Sequence, residues 1–139
     1  MEFTSLNESD RFLSYPTNKI IGMVSTPEEL HAAIAELNAA GFGEAQVEVL
    51  CGRKGAARLD VTGERRGFLA RVYRFVEKFG DMDAKHLNDY RSELLNGHFL
   101  LAVDVPDDDA RTRVVDVFKA HGGHRVNFFR ALTIEGLLP

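Results

Sequence analysis

Between Gly97 and Arg130 the apolar positions change rhythm twice, and the changes spell strand, helix, strand. Phe99 to Val105 (FLLAVDV) is an apolar, β-rich run that Pro106 ends. Asp107, Asp108 and Asp109 come next. Short carboxylate side chains suit a helix start, where unpaired backbone N–H groups and the positive end of the helix dipole point outward. Ala110, Val114, Val117, Phe118 and His121 then recur at helical spacing and define one face. Gly122-Gly123 predicts the stop, because glycine tolerates the left-handed conformation that a helix end needs. Val126 to Arg130 reads as the returning strand.

The same layout opens the chain. Lys19 to Val24 (KIIGMV) predicts a strand, and Gly22 inside it predicts a bulge or a close backbone neighbour. Ser25-Thr26-Pro27-Glu28-Glu29 offers a hydroxyl cap, proline at the first helical position and carboxylates in the first turn. Leu30, Ala33, Ile34 and Leu37 give the buried face, Ala39 to Gly43 the stop, and Gln46 to Cys51 (QVEVLC) the second strand. Two such βαβ units predict an α+β fold, a ferredoxin-like duplicated βαβ sandwich with one antiparallel sheet and helices on one face. Strands are expected near 19–24, 46–51, 99–105 and 126–131, the two opening strands adjacent in the centre. The expected core is Ile21, Leu30, Ile34, Leu37, Val47, Val49, Leu100, Val103, Val114, Val117 and Phe118.

An insert, residues 52–96, separates the two units and is expected to add two helices. Gly52-Arg53-Lys54-Gly55 reads as a basic turn, and Ala57 to Val61 as a short strand or extended loop. Arg66 to Phe79 reads as a helix with a wide apolar face of Phe68, Leu69, Val72, Tyr73, Phe75, Val76 and Phe79. After the break at Gly80 to Asp83, a helix from Asp83 to Leu95 turns Leu87, Tyr90, Leu94 and Leu95 inward, and Asn96-Gly97 ends it. The last stretch, ALTIEGLLP, reads as a strand end and a short tail. Residues 1–18 are polar and aperiodic, a flexible tail in which Phe3, Phe12, Leu13 and Tyr15 are the groups able to dock.

Composition narrows the class. With 45 % apolar residues in 139, residues 19–139 can bury the core of one ordinary domain. A net charge of −4 argues against a generic nucleic-acid binder but leaves room for a local basic patch. The patch lies in the insert: Gly52 to Arg91 holds ten Lys and Arg against six Asp and Glu, while the rest of the chain is acidic. The lone Cys51 rules out an intrachain disulfide and fits a reducing cytoplasm. No apolar run is long enough to span a bilayer, and the N-terminus lacks a secretory apolar core.

The front segment IIGMVSTPEELHAAIAELNAAGF with VEVL, and the back segments YRSELLNGHFLLAVDVP and HGGHRVNFF, resemble the YflT-like family of small bacterial general-stress proteins. The resemblance runs from Lys19 to Leu137 and implies a small soluble, stress-associated domain, with no agreed catalytic residues to carry over. The insert departs from that family, which often has a small-residue, glycine-rich segment where this chain has aromatic and arginine-rich residues.

Candidate chemistry is sparse, and no catalytic residue, cofactor or metal is expected. His121 and His124 stand three apart around the Gly-Gly turn, but no further ligand lies near in sequence, so His121 is read as a helix C-terminal cap. Asp107–Asp109 lacks the alternating spacing of a calcium loop and is read as a helix start. Cys51, beside Arg53 and Lys54, reads as a small core residue rather than a reactive thiol. The residues assigned to ligand or partner binding are Arg71, Arg74 and Lys78, a basic stripe if 66–79 is helical, with Arg53 and Lys54. The leading function is a non-catalytic regulatory or binding module, homodimeric. One alternative is an anionic ligand (nucleotide, nucleic acid or acidic lipid) or an acidic protein surface, such as Asp107–Asp109 of a neighbour, held by the insert. The other is a small dimeric α+β-barrel enzyme using His98 or His124 with Tyr90 in a pocket between sheet and insert.

Overall fold

Thr26 starts the first helix as its sequence dictates. Its Oγ1 accepts from the Glu29 N–H at 3.0 Å, and Glu29 Oε1 accepts from the Thr26 N–H at 3.3 Å, closing a reciprocal cap. Asp107 does the same work later, its carboxylate accepting from the Ala110 N–H at 2.8 Å. The computed structural model describes residues 18–63, 73–75, 84–130 and 134–139. In order these form β1 (Lys19–Val24), α1 (Pro27–Ala39), β2 (Val47–Cys51), α2 (Arg53–Thr62), β3 (Tyr73–Phe75), α3 (Ala84–Leu95), β4 (Phe99–Asp104), α4 (Asp108–Ala120), β5 (His124–Phe129) and β6 (Ile134–Leu138).

The fold is mixed α+β, built on an open sheet in the order β3-β2-β4-β1-β5-β6. β1 lies antiparallel between β4 and β5, β2 is antiparallel to β4, and β6 returns beside β5. Only the edge strand β3 runs parallel to its neighbour, β2, among the described strands. β1 and β4 are therefore central, as expected. Gly22 meets the bulge reading, and the close neighbours at it are side chains rather than another backbone. The pairing of β1 with β5 shifts register between Ile21 and Met23, and a Cβ at Gly22 would stand 2.8 Å from Phe118 and from Val126.

All eleven expected core residues are buried, but they divide between two faces. Ile20, Val49, Leu101 and Val103 face α1 and α4, where Leu30, Ile34, Leu37, Val114 and Phe118 pack with Leu59 of α2. Ile21, Met23, Leu50, Leu100 and Phe129 face the other way, under Tyr90 and Leu94 of α3. Helices on one face only is thus corrected. β1 and β4 are unbroken apolar runs, and strands of that kind need cover on both sides.

The insert holds three further corrections. Residues 57–61 are neither strand nor loop. They belong to α2, whose first turn is the supposed basic turn, so Arg53 and Lys54 are exposed helical residues. The helix is admitted because Gly55 has no Cβ: one there would meet Cys51 at 2.8 Å and Phe99 at 3.2 Å. Arg58 then fastens α2 in place, donating from Nη1 to the carbonyls of Ser25 and Gly97, both at 2.7 Å. Second, the helix expected over Arg66–Phe79 gives way at Tyr73–Phe75 to β3, paired Val49↔Tyr73 to Cys51↔Phe75. Aromatic residues alternating about Arg74 suit a strand, and the open edge of β2 supplies the partner. The rest of that stretch lies outside the described residues, as does the N-terminal tail through residue 17. Third, Leu95 is 53 % exposed rather than inward, since Leu94 takes the buried side of α3. The end of the chain pairs as β6 where only a strand end was expected.

Candidate functional site

All four described helices end at a glycine of positive φ; three of them, α1, α3 and α4, end in related ways, and one of these ends differs in chemistry. At the end of α1, Gly41 has φ +99, the Gly41 N–H donates to the Asn38 carbonyl at 3.1 Å, and the Phe42 N–H donates to the Leu37 carbonyl at 3.0 Å. This stop brings the side chains three before and two after the end together, and they are normally apolar. Here they are Leu37 and Phe42, both buried. At the end of α3, Gly97 has φ +92, the Gly97 N–H donates to the Leu94 carbonyl at 3.2 Å, and the His98 N–H donates to the Glu93 carbonyl at 2.9 Å. The two matching positions are now Glu93 and His98. Their side chains meet, His98 Nδ1 to Glu93 Oε1 at 3.0 Å.

The sheet brings a second imidazole to the same carboxylate. α4 ends at Gly122 (φ +76), with the Gly123 N–H donating to the Phe118 carbonyl at 2.7 Å. β5 begins at His124, which lies beside Met23 of β1, while Leu100 of β4 lies on the other side of Met23. His98 and His124 therefore flank the same end of the central strand. His124 Nε2 contacts Glu93 Oε1, and its Nδ1 faces the Gly122 carbonyl at 3.2 Å. Arg125 Nε donates to the second oxygen, Glu93 Oε2, at 2.6 Å. Arg125 reaches it from a left-handed backbone, φ +52, which is strained for a non-glycine residue. One turn before Glu93 on α3, the Tyr90 hydroxyl accepts from Asn127 Nδ2 at 3.0 Å.

Among the described residues Glu93 is the one charged residue that is buried, 9 % exposed. Burial by itself pushes its carboxyl up. Hydrogen bonds from His124, His98 and Arg125 outweigh that and hold it below the ordinary carboxylate value. The two rings stand perpendicular, 6.4 Å between centroids. Glu93, His98 and His124 each present one ligating atom, and all three atoms lie within 4.8 Å of one another. The arrangement can bind a cation between them, or tie α3 to β4 and β5 through shared protons.

The residues chosen from sequence fare differently. Arg53 and Lys54 stand exposed on the first turn of α2, and the Lys54 stem lies against the Gly97 turn. Arg74 is on β3, so the helical stripe it was to share is not formed there; Arg71 and Lys78 lie outside the described residues. His121 ends α4 as expected, but its ring turns away from His124 to Glu36 Oε1 of α1, at 2.6 Å. Cys51 is buried in the core. Among the described residues no helix is long and apolar enough to cross a membrane. Comparison with protein-family models, with curated proteins and with solved structures returned no match.

Proposed function

We propose that the chain is a small binding module of ferredoxin-like topology that acts without catalysis, as a cytoplasmic homodimer, and belongs with the YflT-like general-stress proteins its sequence resembles. The inner order β2-β4-β1-β5 supports the topology, because each βαβ unit's closing strand lies beside the other unit's opening strand. The observation that carries binding over catalysis is the state of Glu93. A general acid or base at neutral pH needs a pKa near 7. The partners of Glu93 displace it the other way and occupy both its oxygens. That weighs against an enzyme in which Glu93 is the general acid or base.

Both faces of the sheet carry helices, so the dimer forms through an edge. β6 ends the strand order, and Ile134 on it is 55 % exposed. An edge strand with exposed apolar residues is a template for a second copy, and lysine blunts such edges. Light scattering of the full chain should give a dimer mass, and Ile134→Lys a monomer. A parent that stays monomeric at every concentration overturns the dimer.

One observation favours a second reading, an anionic partner. α2 starts on Gly52 with no side-chain cap, and its first turn carries Arg53 and Lys54 with no acidic residue. Arg71, Arg74 and Lys78 add to the positive charge of the same insert. Backbone N–H groups at a helix start together with cations suit phosphate. Retention of the chain on immobilised polyphosphate should fall with salt and fall further in the Arg53→Glu/Lys54→Glu double variant. Equal retention of parent and variant removes this reading.

A further inference from the structure

We propose that Glu93, His98 and His124 form a binding site for a divalent transition ion of the zinc class, at the junction of α3 with β4 and β5. The set is two imidazoles and one carboxylate, which suits such ions rather than calcium or magnesium, whose ligands are oxygens. Zinc-class ions sit about 2.0–2.2 Å from nitrogen and oxygen ligands, which places the ligand atoms of a tetrahedral site about 3.3 Å apart. His98 Nδ1 and Glu93 Oε1 are already at 3.0 Å, and all three atoms fall within 4.8 Å. The widest of these spacings exceeds the tetrahedral value by at most about 1.5 Å, a difference that side-chain rotation can close.

The hydrogen bonds specify which atoms would bind. A carbonyl oxygen can only accept, so at 3.2 Å from the Gly122 carbonyl His124 Nδ1 is the donor. In the neutral ring Nε2 then carries a lone pair, and it points at a carboxylate oxygen. Two lone pairs facing each other need a positive centre between them, a proton or a metal ion. A ligating histidine whose other nitrogen donates to a backbone carbonyl is the usual outer support of a metal site. Arg125 supplies the matching support for the carboxylate. It holds Oε2 at 2.6 Å and leaves Oε1, the oxygen facing both rings, as the ligand. The side chains of His98 and His124 remain 30 % and 31 % exposed, so an ion can enter from solvent and keep a water as its fourth ligand. The bound ion would join α3 to the two strands that flank β1. This site is separate from the β6 edge and from Arg53 and Lys54, so it stands or falls independently of the dimer and of the anionic partner.

The test is calorimetric titration of the metal-stripped full chain with Zn²⁺ alone. One ion per chain is expected, with His98→Ala and His124→Ala each weakening affinity more than about a hundredfold, beyond the usual cost of losing an outer-shell partner. His121→Ala, which removes a partly buried histidine outside the site, should bind as the parent does. Circular dichroism of each stripped variant shows whether it is folded. For any variant that is not, Co²⁺ absorption of the parent supplies the readout, with intense visible bands expected for a four-coordinate site containing imidazole. The proposal is overturned if the folded parent takes up no zinc, if folded His98→Ala and His124→Ala bind as the parent does, or if His121→Ala alone abolishes binding.

Discussion

Replacing Glu93 by glutamine keeps the shape of the side chain and removes its charge. In the parent the carboxylate takes His98 and His124 on Oε1 and Arg125 on Oε2. The amide is uncharged and has a single acceptor oxygen, so the charge-assisted bonds to His98, His124 and Arg125 become neutral ones or are lost. A hydrogen bond to a charged group contributes about 1.5–3 kcal/mol, and a neutral one about 1. The partners are 30 %, 31 % and 46 % exposed, and water recovers part of what is lost. Glu93→Gln should therefore cost about 2–3 kcal/mol at neutral pH, measured by urea unfolding with chelator present. The cost should depend on pH. The Glu93 carboxyl is held below 4.5 in the folded chain, so its contribution is fully present above that value. It is lost as pH falls through the folded pKa, and parent and variant should converge in acid. A cost under about 0.5 kcal/mol at neutral pH, or a gap that holds or widens from about pH 5 to about pH 2, would refute the reasoning.

Other substitutions probe the frame that holds the site. Gly22→Ala places a methyl 2.8 Å from both Phe118 and Val126, and overpacking of that kind should cost about 1–3 kcal/mol in thermal melts. Gly43→Ala, with nothing within 4 Å of the added carbon, is the control and should be close to neutral. Thr26→Ala loses the acceptor for the Glu29 N–H and should cost about 1 kcal/mol by the same melts; no change would show that the cap is redundant. Leu37→Ala empties a fully buried position against Phe42 and should cost about 2–4 kcal/mol in denaturant.

The frame of the fold was legible because its signals are local. Thr26 and Asp107 cap, and Gly41, Gly97 and Gly122 stop, through contacts within a few residues. α2 escapes the pattern because it buries only Gly55, Ala56 and Leu59, and one large apolar residue prints no helical period. The stretch around Tyr73–Phe75 was misread because its apolar residues satisfy a wide helical face as well as an alternating strand, and the choice is made by β2, more than twenty residues earlier. Half of the candidate site could have been read. Glycine after α3 implies contact between the positions that Glu93 and His98 occupy, whatever their chemistry. His124 could not, because it reaches Glu93 through the register of β5 beside β1, 31 residues along the chain.

The position of β1 governs when the protein can assemble. Its neighbours, β4 and β5, begin at Phe99 and His124, and Lys19 meets its cross-strand partner Asp104 across 85 residues. A ribosome must therefore release most of the polypeptide before this apolar strand gains its first backbone partner. Closing so long a loop delays the sheet, and chains rich in distant pairings fold slowly. Until then Lys19–Val24 is a nascent, sticky segment without a strand partner, and a polypeptide cut short before residue 99 would expose it, together with the edge of β2 that β4 covers, to aggregation and to holdase chaperones. Synthesis, more than the finished structure, is the stage at which this molecule is vulnerable.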